Sequence, residues 1–365
     1  MFNNKYRGKR ALVTGHTGFK GAWLSLWLKE LGAKVFGFSN GVPTVPSFYE
    51  TLSAVFDKEF TGDIQNYEEI SDCLKKSNPD IVFHLAAQPL IRVSYDRPVL
   101  TANTNIIGTI NLLEAVRSLN LKCDIVVITS DKCYENRGWE YGYRENDSLG
   151  GNDIYSASKA AADIMAHAYY ASFFKNNSNL GNIATARAGN VIGGGDYARD
   201  RLVPDCIRAL EKNEPIAVRN PSATRPWQHI LDCSSGYLWL GTYLMNSKPD
   251  ITFATAFNFG PYSKSNRTVR ELVEEILRHW GGEWVHNKEI NAPAEASFLH
   301  LSIDRAAQVL KWQPTWGFNE SVYHTVEWYR LRHLEKAENM MEFSMNQIHQ
   351  YCKDAQSSSA VWAES

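Results

Sequence analysis

The chain has 365 residues, a net charge of −2 at pH 7, and a composition that is 44% hydrophobic and 21% charged. This length can bury a large core, and the interspersed charges argue against a nucleic-acid partner and against a disordered acidic tail. The six cysteines show no metal-binding spacing and no apolar stretch is long enough to span a membrane, so we expect a cytoplasmic protein without a metal site, a disulfide framework or a membrane partner.

The first half of the chain alternates short apolar stretches with segments of helical periodicity. Strands are predicted at 11–13, 34–38, 80–84, 124–129 and 184–187, and helices at 18–31, 67–76, 98–119 and 153–175. Strands that are apolar throughout and separated by helices indicate a parallel sheet covered on both faces. Because the crossovers of such sheets are right-handed, we predict a doubly wound α/β fold with a parallel Rossmann sheet.

The second half has a different texture. Gly193, Gly194 and Gly195 open a loop, and the elements that follow are shorter and mixed with Pro and Trp. We predict a Rossmann domain over 1–189 and a smaller mixed α/β substrate lobe over 190–330, from which some segments can return to the main sheet. Residues 331–365 are expected to form a C-terminal helix and a loose tail.

Three glycines follow the first strand and open the first helix. Gly15 allows a tight turn, Gly18 allows the backbone to approach a pyrophosphate, and Gly21 allows the helix to pack on the strand. The N–H groups of that helix end would then face the phosphates. The strand–turn–helix context makes a dinucleotide site a better reading than a turn that merely contains glycines.

The G-x-x-G-x-x-G spacing resembles that of the extended short-chain dehydrogenase/reductase superfamily, which implies NAD as the cofactor. The resemblance implies that Asp63 and Ile64 contact the adenine and that Leu85, Ala86 and Ala87 run beside a ribose. Asn105 matches an Asn of many members, although a role in bending its helix is an equal alternative. The implied cofactor set is Gly15, His16, Thr17, Gly18, Phe19, Lys20, Gly21, Ser39, Asp63, Ile64, Leu85, Ala86, Ala87, Asn105, Tyr155 and Lys159.

The second strand ends at Ser39 and carries no carboxylate there. An acid usually ends this strand and holds the adenosine ribose. Lys20 lies in the first helical turn, where a cation opposes the helix dipole. One reading is that Lys20 points into water. The other is that His16 and Lys20 offset phosphate charge, so that NADP(H) is tolerated beside NAD(H).

A catalytic pair is predicted from Tyr155 and Lys159, which lie one helical turn apart on the same face. An ammonium near a phenol favours the phenolate, which can then take a proton from a sugar hydroxyl. Ser130 at the end of a strand completes the Ser/Thr–Tyr–Lys set of the superfamily. A Tyr and a Lys at this spacing are usually just residues of a surface helix. Their occurrence together with the glycine loop and Ser130 is poorly explained by chance.

The Ser130-Asp131-Lys132 triplet narrows the resemblance to the nucleotide-sugar 4,6-dehydratases, where the corresponding triplet is Thr-Asp-Glu. The resemblance implies that Asp131 is the acid that protonates the departing C6 hydroxyl, whereas Lys132 departs from the pattern at the place of the C5 base. A Lys at this place, together with the glycine loop and Ala87-Gln88-Pro89-Leu90, resembles the pattern of the branch that acts on CDP-D-glucose. That branch forms CDP-4-dehydro-6-deoxy-D-glucose. Lys132 is either the C5 base, as a neutral amine, or a group that stabilises the enolate.

Donors for a diphosphate are expected in the second half, although each taken alone could equally be a surface charge or a loop cap. The implied substrate-binding set is Gln88, Asn190, Arg201, Leu202, Arg225, Asn258 and His300. The helices at 98–119 and 153–175 correspond to those that pair in the family, which implies a homodimer or a dimer-based tetramer. Alternatively, these two helices only cover the sheet.

Two other functions stay open at this point. The nearest is another nucleotide-sugar enzyme, either a 4-epimerase or a 4,6-dehydratase for a different nucleotide. The more distant one is a non-catalytic, cofactor-binding protein that kept the fold, against which the intact Ser130, Asp131, Tyr155 and Lys159 argue.

Overall fold

A computed structural model describes residues 1–246, 253–287, 299–334, 336 and 339–364, and its centre is a parallel sheet of seven strands. The spatial order is β3-β2-β1-β4-β5-β6-β11. The predicted doubly wound Rossmann fold is therefore confirmed. The strands of this sheet are β1 (Arg10–Thr14), β2 (Lys34–Ser39), β3 (Lys58–Thr61), β4 (Ile81–His84), β5 (Asp124–Ile128), β6 (Ile183–Ala188) and β11 (Ala256–Phe259).

Helices cover both faces of the sheet, which explains why its central strands are apolar throughout. On one face, Trp23, Trp27 and Leu231 belong to a core shared by the first and eighth helices. On the other face, Leu74 and Val116 belong to a second core. The helices of the first half are α1 (Phe19–Glu30), α2 (Tyr67–Ser77), α3 (Ile91–Asp96), α4 (Pro98–Ala102), α5 (Gly108–Ser118) and α6 (Ile154–Tyr169).

Two details differ from the sequence prediction. Strand β3 was not predicted, because its residues Lys58-Glu59-Phe60-Thr61 lie at the sheet edge and are mostly exposed, so they carry no apolar signal. The helix predicted at 98–119 is interrupted by a π-helical turn at Asn103–Ile107, and the helix predicted at 153–175 ends in another at Tyr170–Phe174. Hydrophobic periodicity locates a helix but does not reveal one extra residue within a turn.

The second half combines short strands with longer helices. Its strands form three pairs, and β11 joins the main sheet beside β6. Parts of this predicted lobe lie outside the described residues. Its elements are β7 (Val191–Ile192), α7 (Leu202–Glu211), β8 (Ile216–Val218), β9 (Thr224–Pro226), β10 (Gln228–His229), α8 (Ile230–Asn246), β12 (Asn266–Thr268), α9 (Val269–Trp280), β13 (Trp284–His286) and α10 (Phe318–His333).

The C-terminal segment is packed, so the prediction of a loose tail is wrong for 358–364. Helices α11 (Met340–Ser357) and α12 (Val361–Glu364) follow α10. The Trp362 ring is fully buried and stacks on Phe2, with 4.9 Å between ring centroids. The serines before it suggested disorder, but one large aromatic side chain inserted among Phe2, Trp27 and Tyr351 holds the segment in place. Residues 335, 337–338 and 365 of this segment lie outside the described residues.

No helix in the described ranges is long and apolar enough to cross a membrane.

Candidate active site

The first, fourth and fifth strands end side by side at one edge of the sheet. Thr14 pairs with His84, and His84 with Val127, in the parallel ladders. The Oγ1 of Thr14 lies 2.8 Å from Nδ1 of His84 and accepts from the backbone N–H of Ala86 at 3.2 Å. The loops after these strands are thereby brought together at the carboxyl edge, where ligands of such sheets bind.

The glycine loop lies against the segment after β4 so closely that side chains are excluded. Gly15 adopts φ +71°, and a Cβ there would lie 2.8 Å from the backbone nitrogen of Ala86. A Cβ on Gly21 would lie 2.2 Å from the carbonyl oxygen of Gly15. Both glycines are therefore required by close backbone contact, as the sequence indicated.

The N-terminus of α1 is suited to a pyrophosphate. Its N-cap is Gly18, and no side chain caps it by hydrogen bond. The first N–H groups of a helix without a cap, together with the dipole, favour an anion. The cradle that the glycines leave and this helix end fit the pyrophosphate of NAD, although the structure contains only the protein chain.

His16 is buried beside β2 and β3, and its ring is already bonded within the protein. Its ring is 2% exposed and packs over Gly37, and its Nε2 lies 2.8 Å from Oε1 of Glu59. Burial lowers the pKa of His16, while Glu59 opposes that shift. The hydroxyl of Tyr49 donates to the same Glu59 oxygen at 2.6 Å, which fastens the loop before β3 to the glycine loop.

Lys20 is partly buried, which argues against the reading that it only points into water. Burial lowers the pKa of Lys20, and the carboxylates of Asp131 and Asp196 oppose that shift. Lys20 in turn lowers the pKa of Lys159. That NADP(H) is tolerated beside NAD(H) stays a prediction.

The adenosine end offers neutral and acidic groups. The Oγ1 of Thr17 lies 2.8 Å from Oγ of Ser39, and both hydroxyls donate to the carbonyl of Gly41. Asp63 accepts from the backbone N–H of Gln65 at 2.9 Å through Oδ1, and Ile64 is 4% exposed. Ser39 and Asp63 therefore lie at the ends of neighbouring strands, as the sequence suggested for a ribose and an adenine contact.

Asn105 and Gln88, which the sequence assigned to the cofactor and the substrate, both serve the loop after β4. The amide of Asn105 accepts from the Gln88 backbone N–H at 2.8 Å and donates to Oγ of Ser158 at 2.8 Å. The Gln88 side chain bonds both backbone groups of Leu90 and donates to Thr101. Both side chains thus position the loop, because their polar atoms are already used within the protein.

The predicted catalytic helix brings Tyr155 and Lys159 into the same buried site. They are each 8% exposed, and Nζ of Lys159 donates to the Ile128 carbonyl at 3.3 Å. Burial raises the pKa of Tyr155 to about 12, while a hydrogen bond with Ser130 opposes the rise. Burial, assisted by Lys20, lowers the pKa of Lys159 to about 8. Burial therefore outweighs the depression of the Tyr155 pKa that the sequence predicted.

The Ser130-Asp131-Lys132 triplet follows β5 directly, as predicted. Oγ of Ser130 donates to Oδ1 of Asp131 at 3.0 Å and accepts from the Lys132 backbone N–H at 3.3 Å. Asp131 is 2% exposed, and its Oδ2 is buried with no hydrogen-bond partner among the described residues. A buried carboxylate with an unused oxygen is poised to exchange a proton with a ligand. The Lys132 side chain is partly buried.

A buried ion pair supports this site and was not predicted. Both side chains of the Arg187–Asp163 pair are 4% exposed, and the guanidinium bonds the carboxylate at 2.7 and 2.9 Å. Asp163 also accepts from the hydroxyl of Thr129, the residue before Ser130, at 3.0 Å. The position of Asp163 could have been predicted from the sequence, because Asp163 lies two turns beyond Tyr155 on the same helical face.

The residues predicted to bind substrate separate into two groups. Asn258 is fully buried, accepts from the hydroxyl of Tyr134 and donates to the carbonyls of Tyr143 and Ser302. It therefore holds the protein together, and the prediction that it contacts substrate is not supported by its bonds. The backbone carbonyl of His300 accepts from Tyr143, and burial lowers the pKa of its ring.

The second group borders the catalytic residues. Gly189 faces both Oδ2 of Asp131 and Pro226, with a Cβ there 3.1 and 3.2 Å from the two, so β9 with Arg225 lies beside the acid. Arg201 pairs with Asp196 at 2.9 Å, and its charge acts on Tyr155. Leu202 begins α7 directly after it, and the carbonyl of Asn190 accepts from the backbone of Gln228.

Within the described residues, no group of three or more His, Cys, Asp or Glu side chains could hold a metal ion.

Sequence comparison finds relatives over almost the whole chain. The family model described as GDP-mannose 4,6 dehydratase matches residues 12–325. CDP-glucose 4,6-dehydratase of Salmonella typhimurium is 44% identical over 356 residues, which cover 95% of this chain and 97% of that protein. CDP-paratose 2-epimerase of Salmonella typhi is 26% identical and covers 87% of this chain and 98% of that protein.

Solved structures agree with this fold. MoeE5 in complex with UDP-glucuronic acid and NAD has a TM-score of 0.74 and 25% identity, covering 88% of this chain and 98% of its own. The dTDP-glucose 4,6-dehydratase from Bacillus anthracis in complex with NAD has a TM-score of 0.73 and 21% identity, and the match covers 90% of this chain and 99% of that chain.

Proposed function

The chain belongs to the GDP-mannose 4,6-dehydratase family, and from that premise we propose that it is an NAD-dependent 4,6-dehydratase that converts CDP-D-glucose into CDP-4-dehydro-6-deoxy-D-glucose. The observation that carries the proposal is the buried Asp131 carboxylate beside Ser130 and near Tyr155. A 4-epimerase needs the Ser–Tyr–Lys set but no acid at this place. A dehydratase needs one, because the C6 hydroxyl must leave as water.

The protein side chains divide the proton transfers among them. Tyr155 takes the proton of the C4 hydroxyl, with Ser130 bonded to the same oxygen, and Asp131 later protonates the departing C6 hydroxyl. Bound NAD would accept the C4 hydride and return it to C6, so the cycle is redox-neutral. Its pyrophosphate would lie on the glycine loop and the N-terminus of α1, with Lys159 at the nicotinamide ribose.

Lys132 is assigned to C5 in this proposal. It follows Asp131 directly, its backbone N–H donates to Ser130, and its side chain is partly buried. As a neutral amine it removes the C5 proton once C4 is a ketone, and it returns a proton to C5 when the hydride adds to C6. Lys132→Met, with exchange of the C5 proton followed in heavy water, tests this role. If exchange is undiminished, Lys132 is not the base and its remaining role is to stabilise the enolate.

Arg201 and Arg225 are proposed to bind the diphosphate, with Asn190 and Leu202 beside the sugar nucleotide. Arg225 is 9% exposed and Arg201 partly buried, so both cations stand in a site with little water. A guanidinium forks onto phosphate oxygens with two parallel bonds.

We also infer a homodimer. The helices that the family resemblance implicates expose large apolar side chains on α4 and α6 and the π-helical turn after α6: Val99 at 70%, Ile164 at 52% and Phe173 at 47%. Large apolar side chains exposed on such helices are typical of an interface. Light scattering of the wild type and of Ile164→Glu checks the inference: a monomeric wild type would refute it.

The test of the function is a mass measurement. Purified protein and NAD are incubated separately with CDP-, dTDP-, UDP- and GDP-hexoses, and the products are weighed. Loss of one water from CDP-glucose, with no net NADH, is the expected result. An unchanged mass with a new sugar isomer would mean an epimerase, and no change with any donor would favour a binding protein.

A further inference from the structure

His84 occupies a buried position at the end of β4, between β1 and α5. Its ring is 2% exposed, and each ring nitrogen lies within hydrogen-bond distance of one threonine hydroxyl. Nδ1 lies 2.8 Å from Oγ1 of Thr14, and Nε2 lies 3.1 Å from Oγ1 of Thr109. The two threonines are 0% and 2% exposed, so bulk water does not compete for these bonds. The ring therefore joins the strand that leads into the glycine loop to helix α5 on one face of the sheet.

The hydrogens of this bridge follow from the other bonds of its members. A threonine hydroxyl has a single hydrogen, and Thr109 donates it to the carbonyl of Asn105 at 2.7 Å. Thr109 must therefore accept from Nε2 of His84. Burial, followed by the charge of Lys159, lowers the pKa of His84 to about 3, so the ring is neutral and Nδ1 is left as an acceptor.

Every donor in the resulting chain of bonds points in the same direction. The Ala86 backbone N–H donates to Thr14 at 3.2 Å, and Thr14 donates to Nδ1 of His84. Nε2 of His84 donates to Thr109, which donates to the carbonyl of Asn105. The opposite tautomer would leave the hydroxyl hydrogen of Thr14 buried without an acceptor among the described residues, which is costly. The surroundings therefore specify one tautomer of His84.

The chain ends on the catalytic helix. Asn105, whose carbonyl takes the last hydroxyl hydrogen, lies in the π-helical turn Asn103–Ile107. Its side-chain amide donates to Oγ of Ser158 at 2.8 Å, and Ser158 donates to the carbonyl of Tyr155 at 2.7 Å. Asn105 and Ser158 are 1% and 2% exposed. A continuous series of buried bonds thus connects the loop at Ala86 with the backbone of the residue proposed to take the sugar proton.

The two ends of this chain carry the two partners of hydride transfer, an argument that rests on the function proposed above. The loop after β4 would run beside a ribose of NAD, and Tyr155 would hold the sugar hydroxyl. Hydride transfer is fast only when its two partners are placed to within a fraction of an ångström. We propose that His84 is a positioning residue, which accepts at Nδ1 and donates from Nε2 and thereby holds the cofactor-binding loop in register with the catalytic helix. The neutral imidazole suits this role because it offers one acceptor and one donor on a rigid ring.

Nitrogen-15 NMR tests the tautomer without any turnover. The protein is labelled with 15N-histidine, and the signals of His84 are identified by their absence from His84→Gln, or by their shift in Thr109→Val if His84→Gln does not fold. At neutral pH, a protonated Nε2 and an unprotonated Nδ1 are expected. A hydrogen on Nδ1, in either the other tautomer or the cation, would overturn the proposal whatever the substrate of the enzyme.

Thr109→Val tests the positioning role, because it replaces a hydroxyl by a methyl group of similar size and breaks the chain at His84. Thr109→Ser keeps the hydroxyl and should rescue. Thr325→Val is the matched control: Thr325 is 1% exposed on α10, and its hydroxyl donates to the Ser321 carbonyl at 2.7 Å, the same local bond that Thr109 makes on α5. Dissociation constants of NAD and CDP are measured by calorimetry, kcat and KM for CDP-glucose by steady-state kinetics, and folding by thermal melting.

Thr109→Val is expected to weaken NAD binding by about tenfold, which corresponds to the upper range for one hydrogen bond that preorganises the site. It should also lower kcat by about tenfold, because misplacement by about 1 Å costs about a hundredfold and the buried chain permits less. The dissociation constant of CDP and KM for CDP-glucose should stay near the wild-type values. Thr109→Ser and Thr325→Val should resemble the wild type in all four constants.

Two results would overturn the positioning role: unchanged NAD binding and kcat in Thr109→Val, or equal losses in Thr325→Val. A wild type that binds NAD but neither binds CDP nor turns over CDP-glucose would instead refute the proposed substrate. The tautomer of His84 and the NAD dissociation constants of the variants would then still decide the role of His84.

Discussion

Replacing Arg187 by Met is expected to destabilise the protein severely, although Arg187 lies behind the reacting groups. The substitution leaves Asp163 buried with one remaining bond, from Thr129, and deprives the Tyr134 hydroxyl and the Glu145 carbonyl of a donor. Removing one partner of a buried pair costs about 3–5 kcal/mol, a large part of the roughly 5–15 kcal/mol that stabilises a typical domain. Equilibrium unfolding in urea, followed by circular dichroism, measures the loss.

Two further variants make this measurement decisive. Arg278→Met removes an arginine that is 72% exposed and paired with Glu275, and it should change the free energy of unfolding by less than about 0.5 kcal/mol. Arg187→Met combined with Asp163→Leu should be less harmful than Arg187→Met alone, because it leaves no uncompensated buried charge. The reasoning is refuted if Arg187→Met costs no more than the exposed control, or if the double variant costs the sum of its two parts.

Three other outcomes are expected. Tyr155→Phe should lower kcat by about 10²–10⁴-fold with an unchanged melting temperature, since only the proton acceptor is lost. Steady-state kinetics measures the loss, and a near-normal kcat would mean that Tyr155 is not the proton acceptor. Asp131→Asn should still oxidise C4, seen as NADH absorbance in a single turnover, but release no water from C6, and normal dehydration would exclude Asp131 as the acid. Burial raises the pKa of Asp232 to about 7, so its protonated form is favoured by folding, and its stabilising contribution is full below the unfolded value and is lost as the pH rises through about 7. The melting temperature of the wild type should therefore fall relative to Asp232→Asn between pH 5 and pH 8, and parallel profiles would contradict the assignment of that pKa to Asp232.

Much of the framework followed from local sequence. The buried strands were apolar throughout, and the glycines at 15 and 21 predicted close backbone contacts, which the structure shows with Ala86 and within the glycine loop, respectively. Tyr155 and Lys159 were predictable because helical periodicity alone puts them on one face.

Side-chain direction was beyond the sequence. For Lys20 the sequence left two readings open, water or the cofactor phosphates, and the carboxylates of Asp131 and Asp196 that raise its pKa come from distant parts of the chain. Asn258 and Gln88 were predicted from the family resemblance, and their polar groups bond backbone groups of the protein. A residue type reveals which bonds it can make, whereas the tertiary fold decides which partner takes them.

The stack of Trp362 on Phe2 has a consequence for the order of folding. The aromatic cluster that includes Trp27 and Tyr351 joins side chains separated by 360 positions in the sequence. Contacts between residues so far apart can form only after the residues between them have been synthesised. Helix α1 therefore keeps part of its apolar surface at Trp27 uncovered until Trp362 is available to cover it.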